Sequence, residues 1–348
     1  MMPPTLYVCP FCPLHCDDVA LEQPSGGNWM AKVQCGKAIT AYAHALGDSQ
    51  SARIADAAVA TSLASEKAKA MFAGKDIIHV ATAGTDLDTA RRLNQLQNKN
   101  RIRVAIDDTV SAAAWRAAIS REGTLSATLG DVRMHADVVW TIGDVENETP
   151  RWREQIAAET KQWINSQSLA AEPLAELFQT LRSNANGYDS DEPIAASIGS
   201  ANYLAIILGR NAFVESEATA TAEMLSKMLW YLNKTSRAIV LQWDTAATNR
   251  AVTAWQTNAP IDSVTQDSQA EIHIRLGSPS EGAKAATLQI GGIDRGPQFA
   301  ELYLPAATLG IDREGVTIRG DGTVTLPLAA ARPSADATPI ERLEQILA

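Results

Sequence analysis

Cys9, Cys12, Cys16 and Cys35 are the four cysteines of this 348-residue chain, and all of them fall within roughly its first tenth. They read Cys9-Pro10-Phe11-Cys12-Pro13-Leu14-His15-Cys16, then, after an intervening stretch, Cys35-Gly36-Lys37. A C-x2-C pair puts two thiolates on one tight turn. A third cysteine four residues on can face the same centre, and a fourth arrives from the far side of a short loop. Cubane iron–sulfur clusters take four thiolates, commonly from such a compact run plus a more distant ligand. Structural zinc takes four as well but favours two C-x2-4-C knuckles, and here the last cysteine stands alone. The spacing therefore predicts a [4Fe-4S] cluster on Cys9, Cys12, Cys16 and Cys35, with zinc and then disulfides as alternatives. The start Met1-Met2-Pro3-Pro4-Thr5 has neither the basic end nor the apolar run of a secretory leader. The expectation is a cytoplasmic chain, and in a reducing compartment a paired disulfide framework is disfavoured.

The rest of the chain must position that centre, and its composition bounds how. At 348 residues and 46% hydrophobic it is long enough for two or three domains with cores of their own. No apolar run approaches the length of a membrane helix, so no membrane partner is expected. A net charge of −10 and a pI of about 5.1 argue against nucleic acid as a partner, which needs a basic face. Eight tryptophans stand against five phenylalanines; each is read first as a core residue, with partner contact as the alternative.

Residues 1–55 read as a small cluster-binding domain. Tyr7-Val8, Val19-Ala20-Leu21 and Trp29 to Val33 have strand character, Pro24-Ser25-Gly26-Gly27 marks a hairpin turn, and Lys37 to Leu46 reads as a short helix. A first α/β domain follows over 56–182. Ser62 to Phe72 is helical, Ile77 to Ala81 a buried strand, and Gly84-Thr85-Asp86 a turn that caps the next helix, where Leu87, Ala90, Leu93 and Leu96 recur at helical spacing. Ile102 to Ile106 is a strand. Ala136 to Gly143 is another, with the apolar continuity of a strand covered on both faces. The polar stretch 183–201 reads as a linker or surface excursion. A second α/β domain over 202–330 contributes strands at Tyr203–Leu208, Ala238–Leu241, Ile272–Leu276, Thr287–Ile290 and Leu302–Leu304, a helix at Glu215–Leu232, and a hairpin region at Gly310–Gly322. Pro339–Leu347 forms a tail helix near residue 348. The βαβ rhythm predicts α/β domains with Rossmann-like parallel sheets behind a cysteine-rich iron–sulfur domain.

The cysteine pattern with Cys35-Gly36-Lys37 resembles the iron–sulfur domain of the molybdopterin and tungstopterin oxidoreductases. Within that superfamily, Cys9-Pro10-Phe11-Cys12 … Cys16-Asp17-Asp18 is similar to the B-type subunit of formylmethanofuran dehydrogenase. Ala136-Asp137-Val138-Val139, Ala254-Trp255-Gln256-Thr257, and Glu301 to Ala306 with Gly310 to Gly322 carry the resemblance downstream, so it covers most of the chain through short motifs. In active members a cysteine ligates tungsten or molybdenum where carbon dioxide is reduced to formate. By position before the Gly130-Asp131-Val132 … Ala136-Asp137 match, that ligand falls near Ser111, followed by Ala112 where the family has histidine. No cysteine follows Cys35. The pterin-side segment keeps Thr149-Pro150-Arg151 but precedes it with the acidic Asp144-Val145-Glu146-Asn147-Glu148, which repels phosphates.

The resemblance therefore implies a degenerate B-type subunit that keeps the cluster and lacks the molybdopterin or tungstopterin. It would be a redox-inactive scaffold in a formyltransferase/hydrolase complex, serving one-carbon metabolism by formaldehyde oxidation, linked to tetrahydromethanopterin and methanofuran. Its partners would be the other subunits of that complex, and catalysis of its own is in question. One alternative is an active molybdenum or tungsten subunit, reducing CO2 or oxidising formyl groups or formate, with a Ser111 alkoxide near the metal. Another is a zinc-containing α/β binding protein. Lys37, by the resemblance, would lie between cluster and pterin; without the pterin its role is pairing with a carboxylate. His15 is read as a neighbour of the centre rather than a fifth ligand, Asp17-Asp18 as turn-capping residues, His79 and His273 as core histidines, and His135 as an exposed residue that opens a strand. No Ser–His–Asp order, His-x-x-x-His pair or dinucleotide fingerprint supports a hydrolase or nucleotide enzyme.

Overall fold

Parallel strands organise the chain, and they fall into two separate sheets. The structure is a computed structural model and describes residues 5–23, 29–47, 50–156, 158–183, 193–266, 268–280 and 282–348. It divides into two units, one made of 1–107 with 244–348 and the other of 108–243.

The first unit opens with β1 (Leu6–Tyr7), β2 (Val19–Glu22) and β3 (Met30–Lys32), an antiparallel three-stranded sheet in that order. The turn expected at Pro24 to Gly27 lies outside the described residues. Helix α1 (Gly36–Ala45) follows, then a hairpin of β4 (Ala52–Ile54) and β5 (Ala57–Val59). Helix α2 (Thr61–Phe72), β6 (Ile78–Thr82), α3 (Leu87–Asn98) and β7 (Ile102–Asp107) come next. Asp86 is the N-cap of α3, its carboxylate accepting from the backbone N–H groups of Asp88 and Thr89, as the sequence predicts.

The second unit runs α4 (Val110–Glu122), α5 (Leu129–His135), β8 (Val138–Ile142), α6 (Trp152–Gln155), β9 (Gln162–Ser166), α7 (Ala171–Ser183), α8 (Pro193–Ser200), β10 (Tyr203–Leu208), α9 (Ala218–Leu232) and β11 (Arg237–Gln242). Its four strands are all parallel, in the order β11-β10-β8-β9. Every residue of β8 is buried, which is what its unbroken Val-Val-Trp-Thr-Ile run requires of a strand covered on both faces. Trp115 of α4, Trp140 of β8, Ile206 of β10 and Leu225 and Met228 of α9 belong to one core. At about 1.5–3 kcal/mol for each large aliphatic side chain removed from water, such a core is what holds the unit's layers together.

The chain then returns to the first unit through α10 (Ala247–Thr257), β12 (Asp262–Val264), β13 (Ile274–Leu276), β14 (Ala286–Ile290), β15 (Ala300–Leu304), the hairpin β16 (Gly315–Ile318) and β17 (Thr325–Leu328), and α11 (Pro339–Leu347). The large sheet has the order β12-β7-β6-β13-β14-β15-β4-β5. It is parallel from β12 to β15 and antiparallel where β15 meets β4 and β4 meets β5. Helix α11 opens on a capping box between Thr338 and Glu341 and buries Ile340, Leu343 and Ile346 in the same core as Val80, Leu288 and Phe72.

Two expectations about the chain's division change. A boundary near 55 cuts the β4–β5 hairpin, which adds to the large sheet through β15. Arg53 on β4 fastens it there, donating to both carboxylate oxygens of Asp294 (2.7 and 2.8 Å) and to the Ala300 carbonyl (2.8 Å). A boundary at 182–202 would separate β8 and β9 from β10, yet β8 pairs with both β9 and β10. Of the expected linker, 184–192 lies outside the described residues, while Pro193–Ser200 is helix α8 with Ala195 and Ile198 buried. The expected helix at 215–232 starts instead at Ala218, after a short 3-10 turn at Glu215–Glu217.

Candidate metal centre

The four cysteines lie on three short pieces of the first unit. Cys9 follows β1, Cys16 precedes β2, and the Cys9 N–H donates to the Cys16 carbonyl (2.8 Å), closing the loop between them. Within it the His15 N–H donates to the Cys12 carbonyl (3.1 Å). His15 adopts φ 45°, a left-handed conformation uncommon for a residue with a side chain. The return of the imidazole offsets that cost: Nδ1 lies 3.0 Å from the Cys9 carbonyl, and Nε2 lies 3.4 Å from the Thr317 hydroxyl on β16. Burial pushes the His15 pKa down, so the ring is held neutral.

Cys35 reaches the same neighbourhood from β3. It is the N-cap of α1, and its sulfur accepts the Ala38 N–H at 3.5 Å. A helix N-terminus presents unsatisfied N–H groups and a partial positive charge, which favour a thiolate there. Cys9 and Cys12 collect backbone donors too, Cys9 from Phe11 and Cys12 from Leu14 and His15. Cys9 is buried while Cys12, Cys16 and Cys35 are partly exposed. Burial, followed by the neighbouring charges of Cys12, Cys16 and Cys35, outweighs the Phe11 N–H and pushes the Cys9 thiol up to about 12. Burial also raises Cys12, against the lowering effect of the Leu14 N–H and of the Lys37 ammonium. Lys37 itself is exposed on the first turn of α1.

The floor of this region is a small core of its own: Cys9, Val19, Ala38, Tyr42, Leu46 and Ile311, with Phe11 and Trp29 packed against it. Phe11 meets Tyr42 edge-on, centroids 4.9 Å apart. The Tyr42 hydroxyl is buried without a well-formed hydrogen bond and lies beside the Cys9 thiol; burial first, then that sulfur, push its pKa up. The far end of α1 is pinned by Arg332, which donates to the carbonyls of Ala45, Leu46 and Gly47 (3.1–3.2 Å) and to the Asp312 carboxylate (2.8 Å). The cysteine loop is held from the other side by the β16–β17 hairpin, where the Gly320 N–H donates to the Pro13 carbonyl (2.7 Å). A Cβ at residue 320 would collide with Pro13, so that close approach requires glycine.

Among the described residues, no three His, Cys, Asp or Glu side chains are set as they would be around one metal ion. The corners of a cubane lie further apart than the ligands of a single ion. Cys9 lies within electrostatic reach of the other three thiols and Cys12 within that of Cys35; with N–H donors at three of the sulfurs and the Tyr42 hydroxyl beside Cys9, the residues are compatible with that wider four-thiolate group.

The other candidate residues fall elsewhere. Ser111 lies in the second unit, on the first turn of α4, and is buried. Its hydroxyl donates to the Phe213 carbonyl (3.3 Å) and accepts the Phe213 N–H (3.0 Å), so both of its roles are taken inside that unit. Thr149 and Arg151 are likewise committed locally: the Thr149 hydroxyl bonds the Val145 carbonyl (3.1 Å), and Arg151 pairs with Glu154. His273 is a buried, satisfied core histidine; burial pushes its pKa down, and Nδ1 accepts the His79 N–H (3.0 Å). His135 is exposed, at the end of α5 rather than on a strand, with its ring 5.7 Å from Tyr203. Asp17 and Asp18 are exposed. Sequence reasoning missed Tyr42, Arg332, Thr317 and Gly320. The one available signal was Tyr42, a large ring seven residues past Cys35 on an alanine-rich helix; the other three lie more than 280 residues from the cysteine loop.

No family model matches the chain, and no curated protein sequence does. Among solved structures, the chain is similar to one in the X-ray crystal structure of the formyltransferase/hydrolase complex from Methylorubrum extorquens in complex with methylofuran. The match has a TM-score of 0.65 at 17% identity and covers 85% of this chain and 98% of that one. At that identity the shared property is the fold. Among the described residues, no helix is long and apolar enough to cross a membrane.

Proposed function

We propose that this chain is a B-type subunit of a formyltransferase/hydrolase complex, a scaffold without redox turnover of its own, acting in the cytoplasm in tetrahydromethanopterin-linked one-carbon metabolism. The observation that carries the reading is the fold likeness to a chain of such a complex, which extends over 98% of that chain. The cysteine pattern, read independently from the sequence, leads to the same family of complexes.

Cys9, Cys12, Cys16 and Cys35 would hold a [4Fe-4S] cluster, which when bound supplies a one-electron centre. The residues around it then have plain tasks. The N–H groups of Phe11, Leu14, His15 and Ala38 stabilise thiolate charge. Lys37 adds a positive charge beside Cys12. His15 and Gly320 fix the loop against the β16–β17 hairpin. Ser111 supports a chain without molybdenum or tungsten: it stands where the resemblance expects the metal's thiolate ligand, and its hydroxyl is engaged with Phe213.

The test is metal analysis of the anaerobically purified protein together with identification of what co-purifies. Iron with acid-labile sulfide, no molybdenum or tungsten, and co-purifying amidohydrolase-type and formyltransferase subunits is the expected result. One equivalent of molybdenum or tungsten per chain would replace the scaffold reading with a redox-active one. Zinc alone would remove the cluster, and a stable lone chain that oxidises formate would remove the scaffold.

A further inference from the structure

We infer that Tyr42 is a hydrogen-bond donor to the Cys9 sulfur of the loaded centre, holding that ligand as a thiolate inside an otherwise closed core. The inference rests on the cluster reading above and adds a residue that the cysteine spacing does not indicate.

Tyr42 is fully buried, and its hydroxyl has no partner within normal geometry. A buried hydroxyl without a good acceptor is costly, and phenylalanine would fill the same space without that cost. The ring is held rigidly by the edge of Phe11 and by α1, whose register runs from the Cys35 cap through Ala38 to Tyr42. The group beside the hydroxyl is the thiol of Cys9, the one buried cysteine of the four. A neutral thiol is a weak acceptor, whereas a thiolate ligand is a strong one. A thiol at Cys9 is thus a poor partner for the hydroxyl, and a thiolate there would be a good one. Cys9 is the one buried residue among the four cysteines, so its thiolate depends on donors supplied by the protein. Hydrogen bonds to the sulfurs of an iron–sulfur cluster favour its reduced, more negative state and raise its potential. In a reductive titration the electron comes from dithionite and stays on the cluster; the Tyr42 proton remains on its oxygen throughout.

The experiment compares the full-length protein with Tyr42→Phe and Phe11→Leu variants after anaerobic reconstitution with iron and sulfide. Iron and acid-labile sulfide are counted, and the midpoint potential is read by EPR during dithionite titration. Tyr42→Phe is expected to keep the cluster at a more negative potential, while Phe11→Leu, which loosens the packing and leaves the hydroxyl in place, keeps the wild-type potential. Loss of iron from Tyr42→Phe alone also supports the donor. An unchanged potential in Tyr42→Phe, an equal shift in both variants, or loss of iron from both, overturns it and leaves the cluster reading standing. A wild-type protein that takes up no iron removes the cluster and the donor together.

Discussion

The cysteine loop and the start of α4 are the two places where the resemblance puts chemistry, and they have been treated differently. Around Cys9, Cys12 and Cys35 the backbone turns N–H groups toward sulfur, and the Tyr42 hydroxyl lies beside Cys9. At Ser111 the hydroxyl is closed into a two-way bond with the Phe213 backbone, in a core that includes Trp115 and Trp140. The first place has backbone donors aimed at sulfur. The second has a polar group whose needs are met by its own unit. The difference lies in what each place has left over: the four cysteines form no disulfide, whereas both roles of the Ser111 hydroxyl are taken.

The largest expected effect tests that contrast directly. Cys12→Ser abolishes visible cluster absorbance and bound iron, and Ser111→Ala alters neither; iron loss from Ser111→Ala would break the comparison. A smaller effect follows at α1. Arg332→Ala removes the charged donor from three terminal carbonyls and is expected to cost about 1.5–3 kcal/mol, read as faster hydrogen exchange over Gly36–Ala45. Unchanged exchange there would show that the cysteine region does not depend on its far anchor. Ser111→Ala should cost about 1–3 kcal/mol, the penalty of unpairing the buried Phe213 amide, measured by chemical denaturation. A neutral or stabilising result would mean that the hydroxyl is not the structural group its geometry describes.

The smallest effect belongs to α11, remote in sequence from either place. The Thr338 N–H, then burial in the opposing sense, then the Thr338 hydroxyl act on Glu341, and the net result is a carboxyl held below its ordinary value. A depressed folded pKa gives stability that is present above the unfolded value of about 4.3 and lost as pH falls through the lower folded value. Thr338→Ala should cost about 1 kcal/mol at neutral pH, and Glu341→Gln should flatten the acid limb of stability below about pH 4.3. An acid limb unchanged by Glu341→Gln would assign that pH dependence to other carboxylates.

Much of the strand content was legible because burial on both faces leaves an unbroken apolar run: Val138–Ile142, Tyr203–Leu208 and Ile78–Thr82 all announce themselves. The cap of α3 was legible from Asp86 alone. Helix α4 was not, since Val-Ser-Ala-Ala-Ala-Trp-Arg-Ala-Ala packs largely through alanines that carry little periodic signal. The β4–β5 hairpin was missed because its three-residue strands gain their stability from β15, about 250 residues on. Of the metal centre, spacing showed the four sulfurs; the groups that hold them, from His15 bonding Thr317 to Gly320 against Pro13, are long-range pairings that no local pattern records.

The strand order of the large sheet has a consequence for synthesis. β13 lies between β6 and β14, and β15 between β14 and β4, so the strands made first have unfilled edges until residues beyond 300 leave the ribosome. All of β8 to β11 emerges in the interval. The nascent chain therefore has the parallel sheet of the second unit to complete while β6 and β7 await their neighbours, and those two strands are the segment whose exposure a chaperone would have most reason to cover.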